Sequence, residues 1–261
     1  MNAEHQPTSH QPTSDRPIRA VLFDLWGTLI DSGHNAEGME RAVAALSEGV
    51  GIDRERLAAA LDVAFGEVVG RYADVPFYLM NDMFREAMTL AVAAISGAPA
   101  PDGAVDRAMD DMWDAWVAGS KPAPGAIETL AALREAGIPT AIVSFADQAE
   151  FDLMVDRAGL RGLTDFELCS EAARSCKPHA PIFLQALAAV GAEPEDAMYV
   201  GDTPTHDVVG GNRLGMRTAL VAGPHNDLST GTAETEPDHH ITNLTEVLDI
   251  VLGDRAAAEP G

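Results

Sequence analysis

"AVLFDLWGTLIDS", residues 20–32, reads as a buried strand that stops abruptly in a tight polar loop. The apolar run Ala20 to Phe23 meets Asp24, and Gly27 and Thr28 follow at once. An open α/β sheet places its chemistry in such loops, in the crevice outside the carboxyl ends of parallel strands. Asp24 is therefore a candidate nucleophile. Two places on, where an acid/base partner would be well placed, stands Trp26, and an indole cannot exchange that proton.

From about residue 121 onward the same strand-then-loop pattern repeats, alternating with helical segments. "TAIVSFAD", "DFELCSE", "DAMYVGDTPTHD", "RTALVAG" and the start of "HHITNLTEVLDIVLG" read as strands. "FDLMVDRAGL", "HAPIFLQALAAVGA" and "VVGGNRLGM" carry helical spacing. Strands alternating with helices predict a doubly wound parallel sheet covered on both faces, an α/β fold. Between residues 32 and 119 the pattern changes to amphipathic helices alone, among them "GMERAVAALSEGV", "DRERLAAALDVAFGEVVGRY" and "AVDRAMDDMWDAWVAG". This predicts an α-helical cap domain inserted after the first strand. The expected organisation is a disordered N-terminal tail over 1–17, a core over 18–31 and 120–252, the cap over 32–119, and a C-terminal tail over 253–261.

The bulk properties exclude several classes of function. A formal charge of −24 on 261 residues opposes binding to nucleic acid and to anionic membranes. No apolar run approaches the roughly 20 residues of a membrane span. The first residues have neither a basic start nor an apolar segment, and so do not read as a secretory signal. Two cysteines form no metal motif and no disulfide framework, which points to a reducing, cytoplasmic setting. The expected partner is a small-molecule substrate, handled by a monomer or homodimer.

Four sites fall at the predicted strand ends: Asp24 with Thr28, then Ser144, then Lys177, then Asp202 with Asp207. In a parallel sheet their loops converge on one crevice. Asp24 and Asp202 offer hard oxygen ligands suited to Mg²⁺, while Thr28, Ser144 and Lys177 offer donors to phosphoryl oxygens. An oxygen of Asp24 could then attack phosphorus to give an aspartyl-phosphate that water hydrolyses. Lys121 and Lys177 are the only lysines in the chain, which gives the placement of Lys177 more weight.

These segments together resemble the haloacid dehalogenase-like hydrolase superfamily over roughly residues 18–250. "FDLWGTL" resembles its first motif, "IVSFAD" the second, "CKPHAPIF" the third, and "YVGDTPTHDVVGGNRLGM" the phosphatase form of the fourth. The resemblance implies Asp24 as nucleophile, Ser144 as hydroxyl donor and Lys177 as the cation steadying nucleophile and transferring group. It implies Mg²⁺ held by Asp24, Asp202 and the backbone carbonyl of Trp26, with Asp207 ordering the metal's surroundings. The inserted helices match the family's mobile cap, within which Arg71, Tyr72 and Tyr78 are candidate substrate contacts.

Trp26 departs from the pattern, because family phosphatases usually carry Asp there as proton donor and acceptor. Three readings stand open. The first is a Mg²⁺-dependent phosphatase acting on a small phosphorylated metabolite whose leaving group needs little protonation. The second is a metal-independent 2-haloacid dehalogenase-like hydrolase, in which an aromatic residue after the nucleophile is usual and halide leaves without a proton. The third is a catalytically impaired protein that binds a phosphorylated ligand. A phosphonate-cleaving route is disfavoured, since the predicted cap contains no lysine to form a Schiff base. His34 and His206 could supply the missing proton function, although each also reads as a solvated loop residue.

Overall fold

Six short strands carry the architecture of the computed structural model, which describes residues 16–33, 35–223 and 232–258. They are β1 (Ala20–Phe23), β2 (Thr140–Ser144), β3 (Phe166–Cys169), β4 (Ala197–Gly201), β5 (Arg217–Val221) and β6 (His239–Ile241). All pairings are parallel, in the order β3-β2-β1-β4-β5-β6. The order reverses at β1, between β2 and β4, which is where a doubly wound sheet opens its crevice. Phe23 pairs with Ile142 on one side and Val200 on the other, so the loops after β1, β2 and β4 leave one edge together.

Alternation along the strands builds two cores. Val21, Phe23, Ile142, Met198 and Val200 face a layer formed by α5 (Ala126–Glu135), α6 (Gln148–Arg157) and α10 (Glu246–Ala258). Ala20, Leu22, Ala141, Val143 and Tyr199 face the opposite layer, which centres on α8 (Ala180–Val190) and includes the short α7 (Ser170–Ala173). Helix α9 (Val209–Leu214) packs beside α8. There the ring of Phe183 lies so close to Gly210 that an added Cβ would stand 2.3 Å from it. Among the described residues no helix is long and apolar enough to cross a membrane.

Between β1 and α5 come α1 (Asn35–Val50), α2 (Arg54–Tyr72), α3 (Met80–Ser96) and α4 (Ala104–Gly119). Their apolar faces recur at helical spacing, as in Leu57, Leu61, Ala64 and Val68 of α2, and they close on a third core of their own. The two chain passages joining this layer to the sheet run side by side. Asp31 N–H donates to Lys121 O at 3.1 Å, and Ala123 N–H to Leu29 O at 2.8 Å.

A carboxylate from the sheet side ties the layers further. Asp147, buried just before α6, accepts from the backbone N–H groups of Met80 and Asn81, both at 2.8 Å. These are orphan donors at the first turn of α3, whose own N-cap residue, Leu79, has no side-chain acceptor. Burial raises the Asp147 carboxyl above its ordinary range despite those bonds.

The ends of the chain differ from expectation on one side. Residues 1–15 of the expected N-terminal tail lie outside the described residues. The expected C-terminal tail from 253 begins inside α10, which continues to Ala258. The run "RAAA" is strongly helix-forming, and Val251 anchors the preceding turn in the core.

Two stability measurements check this packing. Gly210→Ala is expected to lower unfolding free energy by about 1–3 kcal/mol, because the buried Phe183 ring has no room to retreat. An unchanged urea midpoint would contradict that packing. Asp147→Ala is expected to cost about 1–3 kcal/mol by stranding two half-buried N–H groups. A thermal midpoint equal to that of the parent would show that α3 does not depend on this cap.

Candidate active site

Asp24 is the first residue beyond β1, and its N–H donates to Val200 O at 2.8 Å, so the neighbouring strand fixes its backbone. The chain then turns back: Ile30 N–H donates to Leu25 O at 2.8 Å, around Gly27 in a left-handed conformation with φ 85°. A Cβ on Gly27 would stand 2.1 Å from Asp202 Oδ2. Glycine is required at this turn because the Asp202 carboxylate rests directly against it.

Lys177 joins the parts. Its ammonium lies in the connection between α7 and α8 and donates to Asp24 Oδ1 at 2.6 Å, Asp207 Oδ1 at 2.6 Å and Tyr199 Oη at 3.2 Å. The side chains of Lys177, Asp24 and Asp207 are all at most 7% exposed. Tyr199 Oη in turn donates to Val143 O at 3.0 Å, which moors the ammonium to the sheet. The wide helical turn Pro204–Val208 brings Asp207 back towards β4, where its Oδ2 accepts from Thr203 N–H at 2.9 Å. Thr203 Oγ1 donates to Asp202 Oδ1 at 3.1 Å.

One carboxylate oxygen from each of Asp24, Asp202 and Asp207 falls within 4.8 Å of the others. Burial, opposed by Lys177 and reinforced by the other two carboxylates, pushes the Asp24 carboxyl up to about 8. Burial and the nearby Asp207 push Asp202 up to about 6. Burial would drive the Lys177 ammonium down, but Asp207 and Asp24 outweigh it and hold its pKa well above the ordinary value. A single ammonium thus leaves the cluster short of positive charge. Hard oxygen donors closely grouped at a strand edge suit a small divalent cation such as Mg²⁺. The residues present fit that group.

Above the cluster lies a cavity of about 770 Å³, between the sheet edge and the helical layer. Asp24, Ser144, Lys177, Thr203 and His206 line its floor, and Trp26, Phe65, Phe84, Trp113, Trp116 and Phe145 form much of its wall. The Trp26 ring stands edge-on to Trp116, with centroids 5.5 Å apart, and packs against both the sheet core and the helical core.

Five of the six side chains expected to converge, those of Asp24, Ser144, Lys177, Asp202 and Asp207, share this neighbourhood. Thr28 does not join them. The turn at Gly27 carries it into a separate cavity of about 150 Å³, beside Gly27, Asp202 and Asn243, where its buried hydroxyl has no partner. Arg71, Tyr72 and Tyr78 also lie elsewhere. Arg71 Nη1 and Tyr72 Oη bond Glu86 on the outside of the helical layer, and Tyr78 packs behind Phe145. His34 lies outside the described residues. Sequence reasoning missed Tyr199 and the aromatic wall. A tyrosine within a fully buried strand signals a partner for its hydroxyl, and the tryptophans at 113 and 116 share one face of α4.

Comparison with known proteins gives the family of the chain. The model of the haloacid dehalogenase-like hydrolase family matches residues 18–215. A glyceraldehyde 3-phosphate phosphatase of Methanopyrus kandleri is 31% identical over 90% of this chain and 97% of its own. A ribulose-1,5-bisphosphate 5-phosphatase of Halopiger xanaduensis is 30% identical over 89% of this chain and 98% of its own. Among solved structures, a magnesium-bound HAD-hydrolase of Bacillus subtilis superposes with a TM-score of 0.70, at 18% identity over 91% of this chain and 100% of its own. The L-2-haloacid dehalogenase of Xanthobacter autotrophicus gives 0.63, at 22% identity over 90% and 99% of the two chains, so these structures share the fold alone. The chain belongs to the haloacid dehalogenase-like hydrolases.

The protonation of this cluster predicts a stability profile. Asp24 titrates at about 8 when folded against about 4 when unfolded. Between those values the folded state keeps a proton that the unfolded chain has lost, so stability rises as pH falls through that window. In chelator, the urea midpoint is expected to climb as pH is lowered from about 8 to about 6, and Asp24→Asn to remove most of that slope. Equal slopes in the two proteins would contradict the assignment.

Proposed function

Proceeding from that membership, we propose that the protein is a Mg²⁺-dependent phosphatase that hydrolyses a small phosphorylated molecule through an aspartyl-phosphate on Asp24. The observation that carries the reading is the cluster of three carboxylates, two of them buried and bonded to Lys177, with Asp24 and Lys177 at the floor of a cavity. The relatives named as phosphatases, aligned over about nine-tenths of this chain, support it.

Asp24, Asp202 and the backbone carbonyl of Trp26 are the proposed metal ligands. Bound there, Mg²⁺ would neutralise phosphoryl charge and reduce the repulsion between that group and Asp24. Lys177 occupies Asp24 Oδ1, leaving Oδ2 to attack phosphorus. Ser144 and Lys177 hold oxygens of the transferring group, for which positioning and charge compensation supply most of the catalysis. Asp207 acts as a positioning residue, with one oxygen on Lys177 and the other on Thr203 N–H. Residues 32–119 serve as a cap that excludes water during the first transfer and selects the organic part of the substrate.

The dehalogenase reading draws on the aromatic Trp26, but it leaves Asp202 crowded against Asp207 and Asp24 with no cation to accommodate the charge. Phosphate release from acetyl phosphate and p-nitrophenyl phosphate is expected to require Mg²⁺. Release should vanish in chelator and in Asp24→Asn, and fall sharply in Asp202→Asn. Chloride release from L-2-chloropropionate that survives chelator would overturn the phosphatase reading.

A further inference from the structure

We propose that the substrate is an aryl phosphate, a phosphomonoester of a phenol-type hydroxyl on a large uncharged aromatic group. The inference rests on the phosphatase reading and assigns its substrate class. Two independent features of the site converge on it.

The first is the wall of the cavity. Trp116 is at the centre of an edge-to-face cluster, with ring centroids 5.5 Å from Trp26, 5.5 Å from Phe84 and 5.0 Å from Trp113. Phe65 and Phe145 extend this aromatic lining. Two indole donors that could have greeted sugar hydroxyls are already taken. Trp113 Nε1–H donates to Asn81 Oδ1 at 2.6 Å, and Trp116 Nε1–H to Asn35 O at 3.0 Å. What these rings offer the cavity is apolar surface, which favours offset or edge-on packing with another ring. A cavity of about 770 Å³ also exceeds what a three-carbon sugar phosphate fills.

Charge points the same way. Lys177 is the only lysine or arginine lining the cavity among the described residues, and it sits on the floor with Asp24. The charged lining residue contributed by the helical layer is Asp62, a carboxylate that repels a second anionic group. Arginines of that layer are engaged on its outer surface, Arg41 with Glu37, Arg71 with Glu86 and Arg85 with Asp106. Among the described residues, no lysine or arginine of the wall offers a bisphosphate or a carboxylated sugar its counter-charge.

The second feature is the leaving group. Position 26 carries a ring where a proton donor would stand, and general acid help is worth about 10²–10⁴-fold. A phenol ionises near pH 10, like tyrosine, whereas an alkoxide is about as basic as hydroxide. In the first step Asp24 Oδ2 bonds to phosphorus, the phosphorus–oxygen bond to the arene breaks, and the aryl oxide leaves with that electron pair and takes its proton from solvent. In the second, water attacks phosphorus, the bond from phosphorus to Asp24 Oδ2 breaks, and inorganic phosphate departs with the water's oxygen and both its protons, which restores the Asp24 carboxylate. An aryl ester therefore depends far less than an alkyl ester on the proton donor that Trp26 does not supply.

The test compares kcat and KM for 2-naphthyl phosphate, 2-phenylethyl phosphate, D-ribose 5-phosphate and acetyl phosphate in saturating Mg²⁺. The two apolar esters are expected to share a low KM. The naphthyl ester should exceed the phenylethyl ester in kcat by about 10²-fold or more, and ribose 5-phosphate should be poorest in kcat/KM. Phe65→Ser is expected to raise KM for 2-naphthyl phosphate about tenfold relative to acetyl phosphate, as loss of one aromatic contact predicts. Ribose 5-phosphate turned over as well as the naphthyl ester, or acetyl phosphate turned over without the naphthyl ester, would overturn this inference and leave the phosphatase reading standing. Phosphate released from none of the four would overturn both.

Discussion

Placing one ammonium between two carboxylates inside the protein constrains everything built around it. Lys177 is held by Asp24, Asp207 and Tyr199, and those partners come from the end of β1, the turn after β4 and β4 itself. Removing one partner from such a buried set typically costs about 3–5 kcal/mol, because the others stay charged and unsolvated. The register of the sheet, the glycine under Asp202 and the hydrogen bond from Tyr199 to Val143 all serve to hold these groups within reach. The surplus of negative charge is stored at a strand edge, where it is available to a cation and to chemistry.

The helical layer depends on the same centre less directly. Two paired linkers and the Asp147 cap on α3 fasten it over the sheet, and the indole of Trp26 lies against both cores where they meet. The ring at position 26 thus does two things at once. It offers no proton carrier beside Asp24, and it extends the aromatic wall down to the floor of the cavity.

Much of this was legible in the chain because strand ends announce themselves. A continuous apolar run that breaks into Asp24, Ser144 or Asp202 gives both the element and the polar group at its end, and the alternation of strands with helices gives the parallel sheet. The rest depends on contacts between residues distant in sequence. Nothing near Asp147 says that it caps a helix some 66 positions earlier, and nothing near Tyr199 says that its hydroxyl supports Lys177. Thr28 looked equivalent to Ser144 until the Gly27 turn directed it into another cavity. Arg71 and Tyr72 looked available until Glu86, on the next helix, was seen to engage them. The cavity wall is not legible in the same way, because tryptophan and phenylalanine at helical spacing serve a core and a pocket alike.

The central claim is that Asp24 forms a covalent bond to phosphorus, and rapid acid quenching of a single turnover tests it most directly. Peptide mass analysis should find a phosphoryl group on the peptide that carries Asp24, removable by hydroxylamine as an acyl phosphate must be. Turnover that proceeds with that peptide unmodified, and that persists in Asp24→Asn, would contradict the account.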